Sequence, residues 1–149
     1  MRRPAPLVAG LVVALLLPLS GCGDKTDDYC SALEDHNKDI AEMVGSDSPD
    51  ALLNGLPVLR DLGKKAPEDL TDEWQTFLGA LDGLDDALRK AGVKAADFVD
   101  GKPPKGTGVR EQKAIADAAS QIGADDVVEA STSIEQQARD VCKVNLGLG

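Results

Sequence analysis

Aromatic side chains are scarce in this chain: one Trp, one Tyr and two Phe among 149 residues. Histidine is scarcer still, with His36 alone. A di-iron bundle site draws on two Glu-x-x-His pairs, so that chemistry is excluded. C-x-x-C-H is missing, which excludes covalent haem. A structural zinc site would want more Cys or His near the cysteines than the sequence places there. No G-x-S-x-G elbow accompanies His36. Basic residues are outnumbered, 16 Lys and Arg against 26 Asp and Glu. With no basic patch in view to neutralise phosphates, nucleic acid is not an expected partner. No strand-like alternation and no internal repeat is found.

Long hydrophobic runs are also missing. The longest uncharged apolar stretch, Leu7 to Leu19, is interrupted by Gly10 and Pro18. A membrane-spanning helix needs about 20 apolar residues. The run follows a basic start, Met1-Arg2-Arg3, and ends in small residues, as cleaved export signals do. Its last four residues are Leu19, Ser20, Gly21 and Cys22. They resemble the lipobox of bacterial lipoprotein precursors position by position: an aliphatic residue, two small residues, then cysteine. The resemblance implies that residues 1–21 are a signal peptide and that Cys22 is lipidated. Its thiol takes a diacylglyceryl group, and two acyl chains give stable anchoring where one gives only marginal binding. The implied location is the outer face of the cytoplasmic membrane. Residues 22–28 are then the lipidated cysteine and an acidic tether, and residues 29–149 a single domain.

Removal of the first 21 residues leaves 128, enough for one domain with a modest core. Arg2 and Arg3 leave with the signal, so the mature net charge is about −12. Such a charge opposes lying flat on an anionic leaflet. Lipidation of Cys22 leaves Cys30 and Cys142 as an even pair. Outside the membrane a disulfide between them is permitted. It closes a loop of 112 residues, for which chain entropy gives an upper figure of about 5 kcal/mol.

Apolar periodicity predicts helices throughout. Helix one runs from about Asp27, with Thr26 as cap, to Val44, on a stripe of Tyr29, Leu33, Ile40 and Val44. Helix two has Ser48 as cap and Pro49 at its first position. Its face is Leu52, Leu53, Leu56, Leu59 and Leu62; Pro57 kinks it, and Gly63 and Pro67 close it. Helix three is the clearest. Leu70, Trp74, Phe77, Leu81, Leu84 and Leu88 recur at steps of four and three, the seam that helix bundles use. Arg89 and Lys90 suit its C-terminal dipole, and Gly92 stops it. Residues 93–100 read as one short turn with Phe98 inward. Gly101 to Gly108 is a loop, and its Pro103-Pro104 is a linker before it is a partner contact. Helix four spans about Val109 to Lys143, with Val109, Ile115, Ala119, Ile122, Val127, Ile134, Ala138 and Val141 on its face and a bend at Gly123. Leu146 to Gly149 is a frayed tail. The expected fold is all-α: an up-down four-helix bundle with a kinked second helix. Only an even number of helices brings the start of the first beside the end of the last, where Cys30 and Cys142 lie.

Candidates for chemistry are few. His36 reads as solvent-facing between Asp35 and Asn37. The acidic clusters Asp27-Asp28, Asp82 with Asp85-Asp86, and Asp125-Asp126 lack calcium-loop spacing and read as solvated faces. Trp74 and Phe77 read as core, and are also the candidate lining of an apolar pocket between helices. No catalytic residue, metal or cofactor is expected. Asp28-Tyr29-Cys30 and Asp140-Val141-Cys142, with the lipobox, resemble small uncharacterised lipoproteins of high-GC Gram-positive bacteria. That group implies no activity. The expected function is a membrane-anchored, non-enzymatic module binding an envelope protein or cell-wall component, or alternatively a carrier of an apolar small molecule.

Overall fold

The computed structural model describes residues 23–46 and 50–148. The expected signal peptide, the lipidation site Cys22 and the Ser48-Pro49 helix start lie outside them. The described residues are mostly helical: α1 Gly23–Asp35, α2 Asn37–Val44, α3 Ala51–Asn54, α4 Leu56–Lys65, α5 Thr71–Ala91, α6 Val109–Ile122 and α7 Asp125–Asp140. Among them the sole β pairing is an isolated bridge between Val99 and Lys102. No described helix is long and apolar enough to cross a membrane.

The first helix starts earlier than its sequence suggests. Residues 23–28, expected as a tether, are already helical, and Thr26 lies inside the helix instead of capping it. Asp27 and Asp28 fall in the opening turns, where the helix dipole favours negative charge. The backbone flattens at His36 (φ −95°, ψ 2°) between α1 and α2. Hydrogen bonds still run through the junction, from His36 N–H to the Ala32 carbonyl (3.0 Å) and from Ile40 N–H to the His36 carbonyl (2.9 Å). The two segments thus form one rod that buries Tyr29, Ala32, Leu33 and Ile40.

The expected irregularity at Pro57 falls two residues earlier, at Gly55, between α3 and α4; hydrogen bonds still run through it, from Gly55 N–H to the Ala51 carbonyl (3.0 Å) and from Leu59 N–H to the Gly55 carbonyl (3.1 Å). Proline lacks an N–H and blocks the turn before it. Restarting the helix at Leu56 puts Pro57 in a first turn, where no donor is needed. Gly63 does not end α4, which continues to Lys65. A Cβ at Gly63 would lie 2.8 Å from Leu78 Cδ1, so this glycine serves a close approach of α4 to α5.

Helix α5 follows its predicted seam and ends at Gly92, in the left-handed conformation (φ 69°). Residues expected as one bent helix four form two segments, α6 and α7, separated by Gly123 and Ala124. Both pack along α5, α6 on its C-terminal half and α7 on its N-terminal half, and they touch each other little. Val109, Ala119 and Val141, read as core-facing, are exposed.

The C-terminal tail is not frayed. Val144 and Leu146 are buried. Lys143 takes a left-handed conformation (φ 61°), and Val144 N–H bonds the Ala138 carbonyl at 3.0 Å. This closes α7 and turns the chain back onto the core. The disulfide Cys30–Cys142 ties α1 to the residues just after α7, with Cα atoms 5.0 Å apart.

Candidate functional site

Trp74 and Phe77 are buried in the core. Their exposures are 1 % and 5 %, and Tyr29 beside them is at 0 %. The three rings pack edge to face, with centroids 6.3 Å and 6.1 Å apart. The Trp74 indole N–H donates to the Tyr29 hydroxyl at 3.1 Å. Burial pushes the Tyr29 phenol up to about 12, against a smaller lowering by that hydrogen bond. This cluster is structural core.

The principal cavity lies further along the same helix. It is a half-open trough of about 900 Å³, within the size range of small-molecule sites. Its base is Leu84 and Leu88 of α5 with Ile115 of α6; Phe98 and Pro103 form one wall. The apolar surface continues past the rim, where Val99 is 70 % exposed and Val109 84 %. Among the lining side chains Lys113 carries a positive charge and Asp100 a negative one.

Local sequence explains the wall. Asp100 (φ 51°) and Gly101 (φ 72°) both have left-handed backbone. Val99 and Lys102 exchange hydrogen bonds of 3.1 Å and 2.9 Å across them. That is a two-residue hairpin turn, for which Asp-Gly is a preferred pair. The Gly and Pro of this segment therefore do not forbid structure; they shape a tight turn that holds Pro103 against α6. The Pro104 carbonyl accepts bonds from the Thr107 amide (3.2 Å) and hydroxyl (2.9 Å), fixing the approach to α6. Phe98, expected inward, is half-buried and faces the trough.

Charge is unevenly divided along the chain. Residues 89–113 hold seven Lys and Arg against three Asp and Glu, a net +4. The rest of residues 22–149 holds seven against 23, a net −16. Over residues 84–119, the span that lines the trough, the count is seven against six, so the trough's surroundings are close to neutral. Lys113 pairs with Asp117 at 2.5 Å, and Arg89 lies near Asp85 and Asp86 at 3.7 and 3.8 Å, all within one helix turn. Such exposed pairs are weak.

The remaining candidates are structural in their contacts. His36, half-buried and not solvent-facing, sits between Asp39 (Nδ1, 3.4 Å) and Asp61 (Nε2, 3.8 Å), linking the α1–α2 junction to α4. The Asp61 carboxyl is held below its ordinary range, first by a hydrogen bond from Lys65 at 2.7 Å. Asp82 pairs with Arg60 at 2.6 Å, and Asp126 accepts from the Val127 amide at 3.0 Å. Among the described residues no group of three or more His, Cys, Asp or Glu is placed to hold a metal ion. Two smaller clefts of about 350 Å³ lie beside Met43 and beside Gly79.

Comparison of the chain with protein-family models, curated proteins and solved structures finds no match.

Proposed function

We propose that this chain is a lipid-anchored envelope protein, attached through Cys22 to the outer face of the membrane, and that it is a non-enzymatic binding module. The lipobox residues Leu19 to Cys22 carry the anchor. The Cys30–Cys142 disulfide supports an oxidising compartment, since such bonds are rare where thiols are kept reduced. We read α1–α2, α3–α4, α5 and α6–α7 as four rods in chain order; the Cys30–Cys142 link between the first and the end of the last supports an up-down four-helix arrangement.

The observation that carries the binding role is the trough between α5, α6 and the 95–103 segment. A concave site of this volume with a mostly apolar lining is the form that binding sites commonly take. A second reading, carriage of an apolar small molecule, draws on the same trough: its volume and apolar lining suit such a ligand. The site moves from Trp74 and Phe77 to Leu84, Leu88 and Phe98.

Two experiments test this. Cys22→Ala should release the protein from the membrane fraction; unchanged partitioning removes the anchor. A photoreactive residue at Ala116, in the trough, should give a crosslinked adduct in intact cells. The same residue at exposed Glu129 on α7 should not. Equal labelling at both positions, or none at either, rejects the trough as the binding surface.

A further inference from the structure

We infer that the partner of the trough is a second copy of this chain, docked about a two-fold axis with α6 of each copy seated in the other's trough. This rests on the binding reading above and names its partner.

Two independent observations carry it. The first is where apolar surface is left open. Val109 at 84 % and Val99 at 70 % are the most exposed large apolar side chains among the described residues, and both stand at the rim. Val109 opens a helical stripe with Gln112, Lys113, Ala116 and Ala119, all exposed, which forms the α6 wall of the trough. Beside this ridge lies the hollow over Leu84 and Leu88. A ridge next to a hollow is what a two-fold contact needs, because each copy must supply both halves of the fit.

The second is the charge. Residues 22–149 hold 14 Lys and Arg against 26 Asp and Glu, so two copies repel each other as wholes. Screening leaves only the charges within about 8 Å of a contact to act strongly. On the trough's lining residues and their chain neighbours the signs balance, five against five, so the whole excess of 12 lies elsewhere. This is the face on which two such acidic molecules can meet. Helix α6 also matches itself. In an antiparallel pairing with another α6, centred at Ile115, each residue meets the one equally far on the other side. Lys113 then faces Asp117 of the other copy, twice over, while Arg110 and Glu111 face the uncharged Ser120 and Ala119. No like charges oppose each other, whereas a parallel pairing in register would set each of these four against its own kind. Lys113 and Asp117 are exposed and pair within their own helix, a weak bond that leaves both open to the other copy. A strongly charged partner gains nothing from a balanced face, and a cationic one is drawn to the acidic remainder instead.

The test uses two differently tagged copies of the full chain, made together in an exporting bacterial host. A photoreactive residue at Gln112 should give, in intact cells, a species of twice the chain's mass that carries both tags. Its crosslinked peptide should lie within residues 84–119 of the other copy. The yield should exceed that from the same residue at exposed Glu129 about tenfold, the margin of a specific contact over chance collision. Lys113→Asp in both copies should lower the yield about fivefold, since two attractions become repulsions, and Asp117→Lys in both should do the same. One copy with Lys113→Asp and the other with Asp117→Lys should restore it, because each then faces its opposite sign; a mere fold defect would not be cured by mixing. Failure of the mixed pair to recover overturns the two-fold contact. An adduct with some other protein and no doubled chain overturns the second copy and leaves the binding reading standing. Equal doubled-chain yields from Gln112 and Glu129 overturn the second copy as well. No adduct of any kind at Gln112 overturns both readings.

Discussion

The indole N–H of Trp74 on α5 donates to the hydroxyl of Tyr29 on α1 at 3.1 Å, deep in the core and 45 residues away in sequence. Each of these polar atoms is enclosed by apolar groups, so removing one partner strands the other. Tyr29→Phe should cost about 1–3 kcal/mol, and Trp74→Phe at least as much because it also leaves a cavity. The double variant should cost less than the two together, since it strands neither group. Urea unfolding of the four proteins checks this; strict additivity would mean the contact contributes nothing.

The same tyrosine sets the alkaline limit of stability. Its folded value is raised to about 12 from an ordinary 10, so the unfolded chain loses its proton first. Stability from this group is intact below pH 10 and declines as pH rises from 10 to 12. The full decline is about 3 kcal/mol, at 1.36 kcal/mol per unit. Tyr29→Phe should remove this component of the pH dependence.

The disulfide spans 112 residues and joins the first rod to the end of the last. Replacing Cys30 and Cys142 together with serine should lower stability by about 2–5 kcal/mol. Intact mass under non-reducing conditions should be two protons below the reduced mass. Two free thiols there would contradict the bond.

At the hairpin beside the trough, Gly101 has φ 72° and Asp100 φ 51°. Gly101→Ala should cost about 1 kcal/mol, since a side chain resists that backbone. It should also weaken labelling of the trough, because Pro103 and Phe98 lose their fixed wall. Asp100→Gly should be neutral or slightly stabilising. Thermal melts of the two variants check the sign.

Leu146 is 3 % exposed. Leu146→Ala should cost about 2–5 kcal/mol, as for a leucine in any packed core. A frayed tail would give no measurable change.

Helix α5 was legible because its leucines and aromatics recur at helical steps over five turns, with charge and glycine signals at its end. The cysteine pair was legible by counting. Other features had weaker signals. The tail was misread because Lys143, not glycine, takes the left-handed position after α7. The alternation Val144-Asn145-Leu146 was too short to stand out, though burial follows it residue by residue. The Asp100-Gly101 pair carries a hairpin-turn signal, but it is masked by the Gly and Pro that follow, which point to a loop without regular structure. The trough was invisible for a different reason. Leu84 and Leu88 repeat the seam of Trp74 and Phe77, and only the course of the later chain decides that one half of α5 is sealed and the other left open.

The buried tail has a consequence for the order in which the protein can form. Val144 and Leu146 join the core cluster that includes Tyr29 and Leu33, and a Cβ on Gly147 would lie 3.5 Å from Val44 of α2. Synthesis begins at the other end. The first helix is made early, and α4 and α5 pack on it before the 144–146 segment exists. The contacts of Val144 and Leu146 with that helix are therefore among the most distant in sequence that the fold has to make, and so among the slowest to find.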